Sequence, residues 1–448
     1  MKNKKSKTQI KNQKYLDKNL IKSISKQKDE PKWMLKRRLR AFEVFEKMPM
    51  PKFGPDLSNL DFEKVIFYKK PEIKKAKTWQ DVPKDIKKTF DKLGIPEQEQ
   101  RFLAGLGTQV DSAMVYQSFK KHWEKKGIIF EDMDTAVQKY PDLIKEHFMT
   151  RCVLASNNKF AALHGALWSG GSFVFVPENV KLAEPIEGYF FLKSKQMGQF
   201  EHTLIIAEEG SQISYIEGCS AARYSQDCLH SGAVEIFVGK QARVSYLTIQ
   251  NWSRNVLNFN TKRAFVEEKG IIEWVSGSFG SRMTMLYPTS ILQGKGAKST
   301  HLSVTVAGRG QDLDTGGKVI HQAPETTSNI VAKSIVKDNG KASYRGMVKV
   351  EKGAKGAKTS INCENLILGK KAIANTYPAL QIEEKEAEGY HEAKTGKIAE
   401  DQLFYLMSRG LSEKQATALI INGFLEPVID KFPLEYSVEL SRLIELER

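Results

Sequence analysis

Cys363, in the stretch NCENLILG, is one of four cysteines in a chain of 448 residues, and a His391–Glu392 pair follows it by 28 positions. A thiolate, an imidazole and a carboxylate are donors that hold transition metals, and they are also the parts of nucleophilic hydrolysis. The residues alone leave three readings open: a metal or cluster site, a nucleophile with its base, or a packed cysteine beside an idle surface histidine. A zinc protease is excluded, because the second histidine it needs four residues on is replaced by Thr395. A catalytic triad has weak support, since no serine or cysteine sits in a nucleophile-elbow context. Cys219 and Cys228, with His230 close by, lack zinc-ligand spacing. Cys152 falls in a helical stretch and reads as a small core residue. Cys363 is expected at the end of a strand, facing opposite to Ile361, and His391–Glu392 at a strand-to-helix junction.

Phosphate chemistry finds no motif. GRGQDLDTGGKV offers Lys318, but Val319 stands where a P-loop needs a hydroxyl, and GKGAKST lacks the upstream glycine. The chain is therefore not expected to hydrolyse ATP itself. Lysines and aromatics do mix, as in KHWEKKGIIF, yet they form no RNA-binding pattern, so no nucleic-acid partner is expected.

The elements that must position these residues fall into four parts. Residues 1–30 are a basic leader: ten lysines and one aspartate by residue 28 account for nine of the sixteen net positive charges. It is too polar to fold alone and is expected to be disordered. Residues 31–168 read as a helical domain. EPKWMLKRRLRAFEVFEKM has helical apolar spacing, and PMPKFGP breaks it. DVPKDIKKTFDKLG reads as a short helix. DSAMVYQSFKKHWEKKG is expected as a helix capped by Asp111 and stopped at Gly127. NNKFAALHGALW is the last helix before the pattern changes.

From residue 169 to 391 short apolar runs alternate with glycine turns, and Gly210, Gly239, Gly270 and Gly294 mark corresponding positions. Recurrence at this spacing without intervening helices predicts a β-solenoid, in which each coil buries its apolar face only by stacking on its neighbours. A β-sandwich is the alternative. Residues 392–448 return to helix: EDQLFYLMSR, then SEKQATALIINGF with a Ser412/Gln415 capping box, then PLEYSVELSRLIELE with Pro433 at its first position. A secretory h-region and an 18-residue apolar run are both missing, and four cysteines make no disulfide framework. A cytoplasmic protein with no membrane partner is expected.

Long strings of this chain resemble the SufB family, scaffold subunits of the SUF iron–sulfur cluster assembly system: EPKWMLKRRLRAFEVFEKMPMPKFGPDLSNLDF, FAALHGALWSGGSFVFVPENV, MGQFEHTLIIAEEGSQISYIEGCSA, SYRGMVKV and HEAKTGKIAEDQLFYLMSRGLSE. The resemblance runs from about residue 30 to the end. It implies a right-handed parallel β-helix between N- and C-terminal helical domains. It implies that a transient iron–sulfur cluster is built from iron and desulfurase-derived sulfur and passed to apo-proteins. The implied partners are a SufC-type ABC ATPase docked on the C-terminal helices, SufD or a second SufB copy on the β-helix, and a cysteine desulfurase with its relay protein. A reduced flavin in the complex stays open.

By this resemblance Cys363, Glu392 and His391 are the cluster-binding residues, with Cys363 and Glu392 as iron ligands. Two departures stand out. Tyr390 occupies the place of a glutamate found in many members. Val266 stands where some members carry a sulfur-accepting cysteine, which leaves Cys219 or Cys228 as candidate sulfur relays. The four-cysteine motif of some members is missing. A SufD-like paralogue and a β-helix carbohydrate-active enzyme are the alternatives.

Overall fold

The computed structural model describes residues 16–69, 76, 78–84, 87 and 103–430. The start of the basic leader, most of the DVPKDIKKTFDKLG helix and the Pro433 helix lie outside them.

Two sheets stack coil upon coil into a parallel β-solenoid of about eight turns. The first sheet runs through Ile186–Leu192, Gln212–Ala221, Arg243–Asn251, Ile271–Phe279, Lys298–Ala307, Thr327–Val336, Lys358–Ile367 and Glu388–Lys397, each parallel to the next. The second faces it with Ser172–Val176, His202–Ala207, Ala233–Val238, Val256–Val266, a split pair (Met283–Leu286 and Thr289–Leu292), Asp312–His321, Lys341–Val350 and Ile373–Ile382.

Alternate residues of both sheets point into a shared lumen, as a period of two requires. One inward register column reads Tyr215, Tyr246, Trp274, His301, Ile330, Ile361 and His391. Tyr215 and Tyr246 stack with centroids 5.7 Å apart, and Trp274 lies tilted against Tyr246 at 5.2 Å. Turn glycines keep the coils in step. A Cβ on Gly294 would lie 2.0 Å from the Glu268 nitrogen of the preceding coil, so no side chain fits there.

The N-terminal region departs from its helical reading. Helices form at Lys32–Lys47, Met133–Lys139, Pro141–His147 and Lys159–Leu167, and also at Lys18–Gln27, inside the leader expected to be disordered, where Leu20, Ile21 and Ile24 are buried in the cluster of the neighbouring helices. Residues 105–119 instead make a hairpin, Gly105–Val110 against Ala113–Phe119. Asp111 sits at its turn with φ of 52° and is not a helix cap. Its carboxylate accepts hydrogen bonds from the Lys193 and Ser194 amides and the Ser194 hydroxyl, so the same acid that suggested a cap locks a turn onto the solenoid. The hairpin pairs with Ile186–Leu192, and Ile129–Asp132 runs antiparallel to Ser172–Val176, so both sheets are continued at this end.

At the other end the Glu400–Ser408 helix follows the last strand, and Glu413–Ile429 folds back on the outer face of the first sheet. Its Ile421, Leu425 and Val428 bury against Val275, Val304, Val306, Ile335 and Leu366. Ser412 and Gln415 form the expected capping box. On the second sheet, Arg345 holds buried Asp314 with two hydrogen bonds of 2.8 and 2.9 Å. Its guanidinium also lies over the rings of Phe53 and Tyr377.

Candidate functional site

Cys363 lies inside the Lys358–Ile367 strand, in register with Ala332 on one side and Ala393 on the other. It shares a face with Ile361, contrary to the expectation that the two oppose each other: residues two apart in a strand point the same way. Both face the lumen, where Cys363 is 1% exposed among Ile330, Ala332, Tyr344, Val348 and Ile361. Burial pushes its thiol up to about 12.

His391 and Glu392 belong to the terminal strand Glu388–Lys397, and the following helix starts at Glu400. His391 pairs with Ile361 and Glu392 with Asn362. His391 is therefore on the lumen side, diagonal to Cys363, while Glu392 is on the outer side. There its Oε1 sits 2.8 Å from Lys394 Nζ, and this hydrogen bond raises the lysine's pKa. Glu364 and Lys333 continue the same outer row at 2.8 Å, with Lys333 over the Phe424 ring. The register thus puts His391 on the same side of the sheet as Cys363 and Glu392 on the other, and both His391 and Glu392 are exposed. Among the described residues no three His, Cys, Asp or Glu side chains converge as a metal cage.

The two other solenoid cysteines meet near the opposite end. Cys219 and Cys228 are buried in one cluster with Phe190, Leu192, Met197, Trp252 and Val256. Cys219 shares its inward face with Glu217, two residues before it. Glu217 takes 2.5 Å from Lys262 Nζ, 3.1 Å from the Thr248 hydroxyl, and a short bond from the Tyr246 hydroxyl. Burial raises the Glu217 pKa, but Lys262 and the Tyr246 hydroxyl outweigh it and hold the carboxyl below its ordinary range. Burial first, and Glu217 second, push the Cys219 thiol well up, while Lys262 pulls the other way. One coil back, His230 bonds Glu201 and, at 2.8 Å, Asn258. Glu201 Oε2, Gln199 Oε1, Gln250 Nε2 and Trp252 Nε1 are buried and have no protein partner. Cys152 lies outside the lumen, its thiol on the Arg263 carbonyl at 3.2 Å. Val266 is a buried wall residue.

The family description "SUF system FeS cluster assembly, SufBD core domain" matches residues 190–424, and "SufBD protein N-terminal region" matches 10–187. The chain belongs to the SufBD family. Iron-sulfur cluster assembly SufBD family proteins of Staphylococcus epidermidis, Staphylococcus haemolyticus and Staphylococcus aureus are each 51% identical over 432 residues, 96% of this chain and 93% of theirs. As a SufBD protein the chain takes part in iron–sulfur cluster assembly, and the lumen is where its unusual chemistry concentrates. Sequence reasoning missed Glu217, Lys262 and Tyr246. The signal was available: Glu217 in SYIEGCS and Lys262 in NFNTKRAF are charges at strand positions that alternation sends inward. No described helix of this SufBD chain is long and apolar enough to cross a membrane.

Proposed function

We propose that this chain is the SufB-type scaffold on which iron and sulfur are assembled into a cluster and handed on, not the SufD-type companion. The observation that carries the reading is a lumen-facing cysteine, Cys363, one strand from the free end of the solenoid, with His391 on that last strand and on the same face. Thiolate and imidazole suit iron in a cluster that has to be released again. A neutral thiol held up to about 12 binds iron poorly. The closed lumen is thus an off state, and the ATP cycle of a SufC-type partner opens it. That partner docks on the Glu400–Ser408 helix, whose Phe404 is 74% exposed beside exposed Tyr405 and Met407. ATP hydrolysis belongs to it; the scaffold itself turns over no substrate.

SufD or a second copy covers the free end, where Tyr377, Leu380, Ile382 and Tyr390 stand exposed. Cys219 is the sulfur entry residue. It lies beside Lys262, the one charge there that favours an anionic sulfur species against the opposing Glu217, and Cys228 is the second thiol of its cluster. The carbohydrate-enzyme alternative needs two free facing carboxylates, whereas Glu364 and Glu392 on the outer face are each paired with a lysine.

The test is anaerobic reconstitution with iron and sulfide in the presence of the SUF partners. Cys363→Ala is expected to remove the iron–sulfur absorption, and unchanged cluster content would sink the proposal. His391→Ala should lower cluster yield more than Glu392→Gln, because only the histidine shares the face of Cys363.

A further inference from the structure

Three buried residues join the N-terminal helices to the outer face of the second sheet by an unbroken run of hydrogen bonds. His164 comes from the helix Lys159–Leu167, His202 from the strand His202–Ala207 and Glu235 from the strand Ala233–Val238, and none is more than 1% exposed. His164 Nδ1 lies 2.8 Å from the Ser231 carbonyl, and its Nε2 lies 3.0 Å from His202 Nδ1. His202 Nε2 lies 3.1 Å from Glu235 Oε2. The Phe148 ring stacks on His202 with centroids 3.9 Å apart. The Glu235 carboxyl also closes the turn after the helix Pro141–His147: it accepts from the Met149 amide at 2.6 Å and the Val153 amide at 2.7 Å. Met149 stands at φ of 50°, a left-handed conformation that such a residue keeps only where its surroundings hold it.

The donors and acceptors fix where the protons lie. A carbonyl only accepts, so His164 Nδ1 carries a hydrogen. Burial keeps that imidazole neutral, so its Nε2 is bare and His202 Nδ1 donates to it. At the last contact a neutral His202 offers only a lone pair, and an ionised carboxylate would do the same. One further proton therefore lies between His202 and Glu235. Burial, with Arg37 adding to it, lowers His202 to about 3, while burial raises Glu235 to about 8, so this proton rests on the acid.

The other titratable and charged groups facing this trio are engaged elsewhere. Arg37 donates to the Phe148 and Lys145 carbonyls, His147 Nδ1 meets the Leu143 carbonyl, and the Cys152 thiol donates to the Arg263 carbonyl. Arg263 feels Glu235 only through its charge. Arg38 and His230, which act on His164, are bonded to Glu30 and Glu201. Among the described residues no lysine or arginine is bonded to the Glu235 carboxyl to take the proton's place.

We infer that Glu235 and His202 trap one proton when the N-terminal helices close on the solenoid, and that rising pH therefore loosens this closure. With the helices lifted away, the acid meets water and ionises at its ordinary value. The closed form then binds more protons than the open one at neutral and mildly alkaline pH, so opening grows with pH until the acid ionises in the closed form too. The two imidazoles take up protons on opening and oppose this, but only weakly above pH 7.

The experiment is hydrogen exchange of the full chain, read by mass spectrometry at pH 7, 7.5 and 8 with the intrinsic exchange rates divided out. Opening of peptides within 141–168 is expected to rise roughly threefold from pH 7 to 8, while the strand Thr327–Val336 stays constant. Glu235→Gln, which has no acid to titrate, should abolish the rise whatever its effect on stability. A rise that survives in Glu235→Gln would overturn the inference. So would an equal pH response of the two segments in the parent chain, a comparison that holds even where the variant does not fold. The scaffold reading is untouched by either result.

Discussion

The two ends of the solenoid are finished in opposite ways. At the N-terminal end the Gly105–Phe119 hairpin extends one sheet, joining it by a parallel strand and ending in an antiparallel one, and Ile129–Asp132 extends the other as an antiparallel strand. Helices Lys32–Lys47 and Lys159–Leu167 cover the flank. At the C-terminal end Ile373–Ile382 and Glu388–Lys397 are the last strands of their sheets, and both show apolar side chains to solvent. Unpaired strand edges recruit other strands, and proteins ordinarily block them. The bare end is the one that the proposed partner would cover. The lumen differs between the ends too. Toward the closed end it holds an ion pair, Glu217 with Lys262, and a carboxyl–imidazole hydrogen bond, Glu201 with His230. Toward the open end its polar groups are neutral, such as His321 between the Thr326 and Ser328 hydroxyls.

The comparison breaks most visibly at the buried pair. Lys262→Met leaves Glu217 without its counter-charge, and is expected to cost about 3–5 kcal/mol in chemical denaturation; a loss below 1 kcal/mol would mean that water already screens the closed half. The neutral half has its own signature. Burial lowers His321 to about 4, so between pH 6.5 and 4 the unfolded chain binds a proton there that the folded chain refuses. Stability falls with pH in that window. Set against a His321→Asn variant, the parent should lose about 1 kcal/mol per pH unit below 6.5, read from denaturation midpoints at pH 7, 6 and 5. Parallel slopes for the two proteins would place His321 in contact with water.

At the bare end Leu380→Glu with Ile382→Glu should change the stability of the isolated chain by no more than about 0.5 kcal/mol. The same pair should abolish association with SufD or a second copy, measured by light scattering. Persistence of the complex would move the seam elsewhere. The smallest stability effect is expected from Phe404→Glu, which touches no core and should only remove co-purification of the ATPase. Deleting the whole segment from residue 400 is the poorer test, since it also strips Ile421, Leu425 and Val428 from the outer face of the first sheet.

Much of this architecture could be read in advance. Glycines at regular intervals with no helix between them specify a stack of coils, because only stacking buries such short strands. The Ser412–Gln415 box announced its helix, and Cys363 was correctly assigned to a strand. What failed depends on contacts far apart in the chain. The Asp111 carboxylate caps nothing in its own segment; its hydrogen bonds go to Lys193 and Ser194, which a local rule cannot see. His391 and Glu392 read as a junction because a helix signal begins close behind them, yet register with Ile361 and Asn362 keeps them in the sheet. That register alone puts the imidazole on the thiol's side of the sheet and the carboxylate on the other.

The guanidinium of Arg345 bridges three parts of the chain. It is anchored in Asp314, and its two ring contacts are Phe53, from the proline-rich segment near the N-terminus, and Tyr377, from the final turn of the solenoid. One cation thus ties the bare edge of the last coil to a loop that precedes the entire β-structure, so whatever covers Tyr377 meets a residue already fastened to the beginning of the chain.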